Sequence, residues 1–95
     1  MNERAVERYL AQQVRRYGGE CRKVSFVGHT GAPDRVVMLP AQQNQIGLVF
    51  WVELKTLTGA LRHAQVREHA RMRALGQLVY VLRTPEEVDA CLDMW

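Results

Sequence analysis

The chain has few of the residues that mark disulfide-rich, secreted or membrane proteins. It contains two cysteines, three prolines and no long hydrophobic run. Its longest apolar stretch, Leu48 to Val52, is far too short to cross a bilayer. Cys21 and Cys91 lie far apart and form neither a CxxC pair nor a zinc pattern, so we expect reduced thiols. Because the amino-terminal residues are charged and resemble no signal peptide, we expect a cytoplasmic protein with no membrane partner.

Lysine is scarce as well, since eleven of the thirteen basic residues are arginine. The net charge of +3 and the bidentate grip of guanidinium groups on phosphate favour a phosphate-rich partner. A composition of 47% hydrophobic and 24% charged residues is typical of a folded domain and argues against disorder. The length of 95 residues allows one core, so we predict a single domain over residues 1–95.

Hydrophobic periodicity predicts seven elements in the order αβββαβα. This order is typical of an α/β domain in which a mixed β-sheet carries helices on both faces. In the second helix we expect an apolar stripe of Leu61, Ala64, Met72 and Leu75, with Gln65 near its edge. The predicted elements are helix 3–17, strand 21–27, strand 34–39, a polar turn around 42–45, strand 48–54, helix 62–75, strand 78–82 and a helix starting after Thr84.

Two short motifs carry the chemistry of the chain, Gly31-Ala32-Pro33-Asp34-Arg35 and Glu53-Leu54-Lys55. Strand alternation places residues 53 and 55 on one face of the sheet. If the two strands form a hairpin, Asp34 lies beside Glu53, and a divalent cation would relieve the repulsion between the two carboxylates. The motifs therefore predict a metal-dependent site that cleaves phosphodiesters. The alternative is structural: Asp34 caps a strand, and Glu53 and Lys55 form an ion pair on the sheet.

The element order and these motifs resemble the PD-(D/E)xK nuclease superfamily, and within it the virus-type replication–repair nuclease (VRR-NUC) family. The resemblance covers nearly the whole chain and implies a restriction-endonuclease-like fold with Mg²⁺ or Mn²⁺ as cofactor. It implies that Asp34, Glu53 and the backbone carbonyl of Leu54 hold the metal, and that Lys55 orients or deprotonates the attacking water. It also implies that Gln65 lies close to the site and contacts the phosphate or Lys55. Gln65 could instead be a boundary residue that makes a helix–loop hydrogen bond.

The acidic residue that the first helix contributes is open between two candidates. On a helical wheel Glu3 lies inside the apolar stripe and Glu7 lies at its edge. The family pattern fits Glu3 somewhat better, so we favour Glu3 over Glu7. Both residues could instead be first-turn acids that the helix dipole favours.

Several basic and polar residues near the motifs are candidates for binding the DNA backbone. Arg35 and Arg62 are the first choices, because Arg35 belongs to the first motif and Arg62 lies three residues before Gln65. The glycine-rich loop adds His29 and Thr30, and the remaining candidates are Lys23 and Arg67. Each of these side chains could also be merely solvated.

These observations predict a metal-dependent endonuclease that acts on DNA. The resemblance implies a phage- or prophage-encoded protein of a bacterial host cell, a homodimer, and a branched substrate such as a four-way junction. A homodimer would supply the two active sites that paired cuts require. The alternative is a non-catalytic module that binds nucleic acid on a degenerate nuclease fold.

Overall fold

The computed structural model describes residues 2–42 and 46–95, so most of the turn predicted around 42–45 lies outside the described residues. The observed order confirms the predicted αβββαβα arrangement. The first strand ends at Lys23 rather than at residue 27, because its partner strand begins only at Arg35, directly after the Pro33-Asp34 turn. The elements are α1 (Glu3–Arg16), β1 (Glu20–Lys23), β2 (Arg35–Leu39), β3 (Leu48–Leu54), α2 (His63–Ala74), β4 (Val79–Leu82) and α3 (Pro85–Asp93).

The four strands form one mixed sheet in the order β1-β2-β3-β4. The first three strands are antiparallel, and β4 runs parallel to β3 because α2 carries the chain back across the sheet. Arg35 pairs with Val52 across β2 and β3. Continuing this register by one residue places Asp34 directly beside Glu53, as the hairpin prediction requires.

Helices α1 and α3 cover one face of the sheet and form the main core with it. From α1 the core takes Val6, Leu10 and Val14, all fully buried, and Tyr9 and Tyr17 pack against them as the helical periodicity predicts. The remaining core side chains come from the sheet and α3, including Val37, Phe50, Val52, Leu54, Val88, Cys91 and Leu92.

Capping and hydrogen bonds fix these two helices against each other. The Asn2 side chain accepts a hydrogen bond from the Ala5 N–H at 2.8 Å and starts α1, and Thr84 caps α3. The hydroxyl of Tyr9 donates to Asp89 at 2.8 Å, and that of Tyr17 donates to Asp93 at 2.8 Å. The first and last helices are thus joined by side chains as well as by the core.

Helix α2 covers part of the other sheet face, and here the predicted apolar stripe is confirmed only in part, since Met72 is buried and Leu61 and Ala64 are half-buried. Its buried side chains are Gln65, Glu68, His69 and Met72, whereas Leu75 is 77% exposed. The stripe is incomplete because α2 faces the charged end of β3, so polar side chains that meet Glu53 take the buried positions. Periodicity of apolar residues does not detect a face of this kind.

Both cysteines are free, as expected, with Cys91 buried and Cys21 half-buried. Within residues 2–42 and 46–95, no helix has the length and apolar character needed to cross a membrane. Trp95, which follows α3, is 42% exposed.

Replacement of Val14 by alanine tests the main core, with Val66→Ala as a matched control. Val14 is fully buried in α1, and Val66 is 51% exposed on α2. Removing two buried methyl groups leaves a cavity, so we expect Val14→Ala to lower the free energy of unfolding by about 1–3 kcal/mol. We expect Val66→Ala to change it by less than about 0.5 kcal/mol. Urea unfolding followed by circular dichroism measures both, and equal losses would contradict the assigned core.

Candidate active site

The candidate active site centres on two carboxylates at the same end of the β2–β3 hairpin, where β2 begins and β3 ends. Asp34 is the residue directly before β2, and Glu53 is the sixth residue of β3. Glu53 faces α2 and is only 6% exposed, whereas Asp34 is partly open to solvent. One carboxylate oxygen of Asp34, Oδ1, is buried and has no hydrogen-bond partner among the described residues. Two close carboxylates, one of them with an unpartnered oxygen, repel each other when both are ionised.

The surroundings of Glu53 strongly favour its protonated form. Burial raises the pKa of Glu53 from 4.5 to about 7, and the negative charge of Asp34 adds to this shift. Lys55 opposes it, while Glu3 raises the pKa further and Arg62 lowers it. These four charged side chains therefore lie within electrostatic reach of the Glu53 carboxyl group, as the motif analysis predicted for Asp34 and Lys55.

Arg35 does not take the position expected of a DNA-binding residue. It is 5% exposed, and its guanidinium group contacts Asp34 Oδ2 and Glu7 Oε2, each at 2.9 Å. It also donates to the Asp34 carbonyl at 3.1 Å. Because strand alternation turns Arg35 toward α1, its charge stabilises the carboxylates and is not open to a phosphate. We therefore correct the expectation and assign Arg35 to positioning Asp34.

The two candidate acids of α1 occupy different positions around this centre. Glu7 is held by Arg35, and its side chain is 44% exposed. Glu3 is exposed, yet its charge contributes to the raised pKa of Glu53. The Arg35 guanidinium group therefore links Glu7 to Asp34, because it contacts both carboxylates. Glu3 affects Glu53 through its negative charge, which raises the Glu53 pKa. The expected burial of Glu3 against the sheet is not observed.

Lys55 follows β3 and begins a loop that is tied to the end of the neighbouring strand β4. Its backbone N–H donates to the Leu82 carbonyl at 3.2 Å, which extends the parallel pairing by one residue. The Arg83 guanidinium group donates to the carbonyls of Thr56, at 2.8 Å, and Gly59. Arg83 was not singled out in the sequence, where an arginine before a helix cap carries no distinctive signal.

Gly31 and Gln65 link the Pro-Asp motif to the start of α2. Gly31 has a φ of +89°, and a Cβ atom there would lie 2.4 Å from the Ala64 carbonyl oxygen. Only glycine allows this close approach of the loop to the helix. Gln65 is buried, and its Oε1 accepts a hydrogen bond from the Arg62 N–H at 2.8 Å. This is the helix–loop bond that the sequence left as the alternative for Gln65.

His69 is a member of the site that the sequence analysis did not identify. It is completely buried, and its Nε2 lies 3.8 Å from Glu53 Oε1. Among the described residues neither ring nitrogen has a hydrogen-bond partner. Burial lowers the pKa of His69, and the charge of Arg73 adds to the effect, so the ring is neutral near pH 7. The sequence signal for His69 was its position four residues after Gln65, because residues four apart lie on the same face of a helix.

The remaining candidates for DNA binding form a polar surface beside the site. His29 lies on the exposed loop, and its Nδ1 is 3.2 Å from Glu68, a buried carboxylate that also contacts Arg71 at 2.9 Å. The side chain of Arg62 is exposed, and its positive charge lowers the pKa of Glu53. The other exposed candidates are Thr30, on the loop, Lys23, at the end of β1, and Arg67, on α2.

The donor set fits a hard divalent cation with few protein ligands. In residues 2–42 and 46–95 no group of three or more His, Cys, Asp or Glu side chains is arranged as a metal cluster. Mg²⁺ commonly uses one or two carboxylates and keeps several waters, so a pair of carboxylates meets its requirement. The buried, unpartnered Oδ1 of Asp34 and the raised pKa of Glu53 are features that a cation at this position would relieve.

Comparison with known proteins agrees with this geometry. The chain is 39% identical over 82 residues to "Putative nuclease p44" of Acyrthosiphon pisum secondary endosymbiont phage 1, an alignment that covers 86% of this chain and 83% of that protein. A solved structure described as a VRR_NUC domain matches with a TM-score of 0.85 and 33% identity, covering 98% of this chain and 96% of that chain. No family model matches the chain.

The mixed sheet with its flanking helices, and its match to the solved VRR_NUC structure, define the fold of a PD-(D/E)xK-type nuclease. The two similar proteins identify the family within this class of nucleases. The chain belongs to the virus-type replication–repair nuclease family, VRR-NUC.

Replacement of Glu53 by glutamine tests the electrostatics of the site. Between pH 4.5 and about 7 the folded protein keeps a proton on Glu53 that the unfolded chain has lost, so this group makes stability fall as pH rises. Above about pH 7 the loss is complete, at up to about 3 kcal/mol. In chelator we expect Glu53→Gln to be more stable than the natural protein at pH 8, with the gain shrinking toward pH 5.

Thermal and urea unfolding across this pH range measure the effect. Glu86→Gln is the matched control, because Glu86 is exposed on α3 far from the carboxylates. A gain that is the same at pH 5 and pH 8 would contradict the raised pKa of Glu53.

Proposed function

We propose that the chain is a divalent-metal-dependent endonuclease that hydrolyses phosphodiester bonds of DNA. The observation that carries the proposal is the placement of Asp34 beside Glu53, with Lys55 close enough to affect the Glu53 pKa. Membership of a nuclease family supports the same chemistry. In this proposal Asp34, Glu53 and the Leu54 carbonyl hold Mg²⁺ or Mn²⁺.

Each side chain then has a distinct task. A divalent cation, when bound, supplies Lewis-acid stabilisation of the charge that develops on the phosphate. Lys55 orients or deprotonates the attacking water. Arg35 holds Asp34 in place, and His69 gives Glu53 a neutral neighbour that does not compete with the cation for the carboxylate. Gln65 fixes the start of α2, which places Arg62 where it can contact a phosphate.

We propose further that the substrate is branched DNA, such as a four-way junction, and that the protein acts as a homodimer in the cytoplasm of a bacterial host. One chain provides one candidate site, and resolution of a junction needs two cuts related by symmetry. The exposed basic and polar residues Arg62, Arg67, Lys23, His29 and Thr30 would contact the DNA backbone without reading sequence. The phage origin of the similar protein supports the assignment of host.

Cleavage of a labelled four-way junction and a matching linear duplex tests the proposal, with Mg²⁺, Mn²⁺ or chelator present. We expect metal-dependent cleavage of the junction, reduced at least about a hundredfold in Lys55→Ala and in Asp34→Asn, because the first loses the group that activates water and the second a metal ligand. Glu86→Gln makes the same change from carboxylate to amide at an exposed position of α3 and should cleave normally. Sedimentation velocity measures the expected dimer.

The outcomes separate the parts of the proposal. Full cleavage by Lys55→Ala would reject the assigned catalytic centre. Equal cleavage of junction and linear duplex would reject the preference for branched DNA. DNA binding without cleavage in any metal would favour the alternative, a non-catalytic nucleic-acid-binding module.

A further inference from the structure

An apolar groove lies on the same sheet face as the carboxylates and continues from them. Trp51 and Glu53 alternate on β3, so their side chains leave the same face about 7 Å apart. The opposite wall comes from α2, where Met72 follows His69, the neighbour of Glu53, by three residues. We call this cavity the α2 groove. Its walls are Phe26, Trp51, Met72 and Leu75, and its polar edge is His29, Glu68, Arg71 and Gln77.

The size and lining of the α2 groove fit one flat heterocyclic ring. Its volume is about 260 Å³, slightly below the roughly 300–1,000 Å³ typical of sites for drug-sized ligands. Two aromatic rings stand in its wall, since Phe26 and Trp51 meet edge to face with centroids 5.3 Å apart. The Trp51 indole N–H donates to the Gln77 amide oxygen at 3.0 Å, which fixes the indole ring in the groove. Fixed aromatic rings are the surfaces on which nucleobases stack.

The polar edge supplies groups that suit a nucleotide. Glu68 is buried and holds both His29 and Arg71, whose side chains are 56% and 67% exposed. The other ring nitrogen of His29, and the N–H groups of Arg71 that do not contact Glu68, are therefore held at the mouth of the groove, where a sugar-phosphate backbone would pass.

We infer that the α2 groove binds an unpaired nucleobase of the DNA strand whose phosphate lies at Asp34 and Glu53. A base within a duplex is stacked and cannot enter a groove in the protein, whereas an unpaired or extruded base can. The inference rests on the proposed nuclease function and makes its substrate more specific: the groove selects DNA with an unpaired nucleotide next to the cleaved bond.

Fluorescence anisotropy in chelator tests this inference without cleavage. The probes are a fluorescein-labelled duplex with one unpaired thymidine and the same duplex with an abasic residue at that position. We expect the natural protein to bind the abasic probe roughly tenfold more weakly, since it loses one base-stacking contact. Replacing Leu75 by glutamate puts a negative charge in the groove wall and should remove this difference.

Met94→Glu is the matched control for Leu75→Glu. Both residues are exposed and apolar, and both follow the last turn of a helix, so the two substitutions add the same charge in the same local setting. Met94 lies outside the groove, and this variant should keep the preference for the unpaired base. In a Trp95→Phe protein, Trp51 is the only tryptophan, and the thymidine probe should quench its fluorescence more than the abasic probe does.

Equal affinity for the two probes, or the same preference in Leu75→Glu and Met94→Glu, would overturn the inference. Conversion of a dimer to a monomer by Leu75→Glu alone would also overturn it, because the groove would then be a subunit interface. Metal-dependent cleavage with no preference for the unpaired base would leave the proposed nuclease standing and reject only the groove. A preference for the unpaired base in a protein that cleaves with no metal would support the groove and reject the catalytic proposal.

Discussion

The register between β2 and β3 is the constraint on which the site depends. Side chains alternate along a strand, so a slip of one residue would turn Asp34, Glu53 and every neighbouring side chain to the opposite face. The core prevents such a slip, because it requires Val37 of β2 and Phe50, Val52 and Leu54 of β3 on the side of α1 and α3. Burial of apolar side chains on one face thus holds the carboxylates together on the other. The repulsion between Asp34 and Glu53 is therefore opposed by the packing of apolar side chains on the other face of the sheet.

Arg35 connects these two faces. Its neighbour Asp34 belongs to the side of α2, while its own side chain points toward α1 and reaches Glu7. A buried guanidinium group that lacked a partner would be costly, and so would two adjacent carboxylates without a nearby positive charge. Here one arrangement satisfies both requirements: carboxylates partner the buried guanidinium group, and its positive charge lies beside them. The arrangement also explains why Asp34 keeps one paired oxygen and one free oxygen: the arginine takes Oδ2 and leaves Oδ1 without a partner among the described residues.

Much of the fold could be predicted from the sequence, because it is recorded in local patterns. Apolar spacing identified α1, the strand runs identified β2 and β3, and Thr84-Pro85 marked the start of α3. The pairing of Asp34 with Glu53 followed from alternation and the hairpin alone. What failed was α2: its buried face is polar, and a polar face becomes recognisable only when its partners across the sheet are known. His69 and Glu68 were missed for this reason, and Arg35 was misassigned because burial of an arginine depends on distant residues such as Glu7.

The contacts between the first and last helices also bear on how the chain reaches this structure. Tyr9 and Tyr17 bond to Asp89 and Asp93, which lie 80 and 76 positions further along the chain. The sheet face that they close includes Phe50 and Val52, so its cover is complete only when α3 has docked. Closing so long a loop costs chain entropy before any contact compensates for it, and contacts of this kind slow folding. A nascent chain that has reached β4 still lacks α3, so α3 must be synthesised before the carboxylates can be held in their final register.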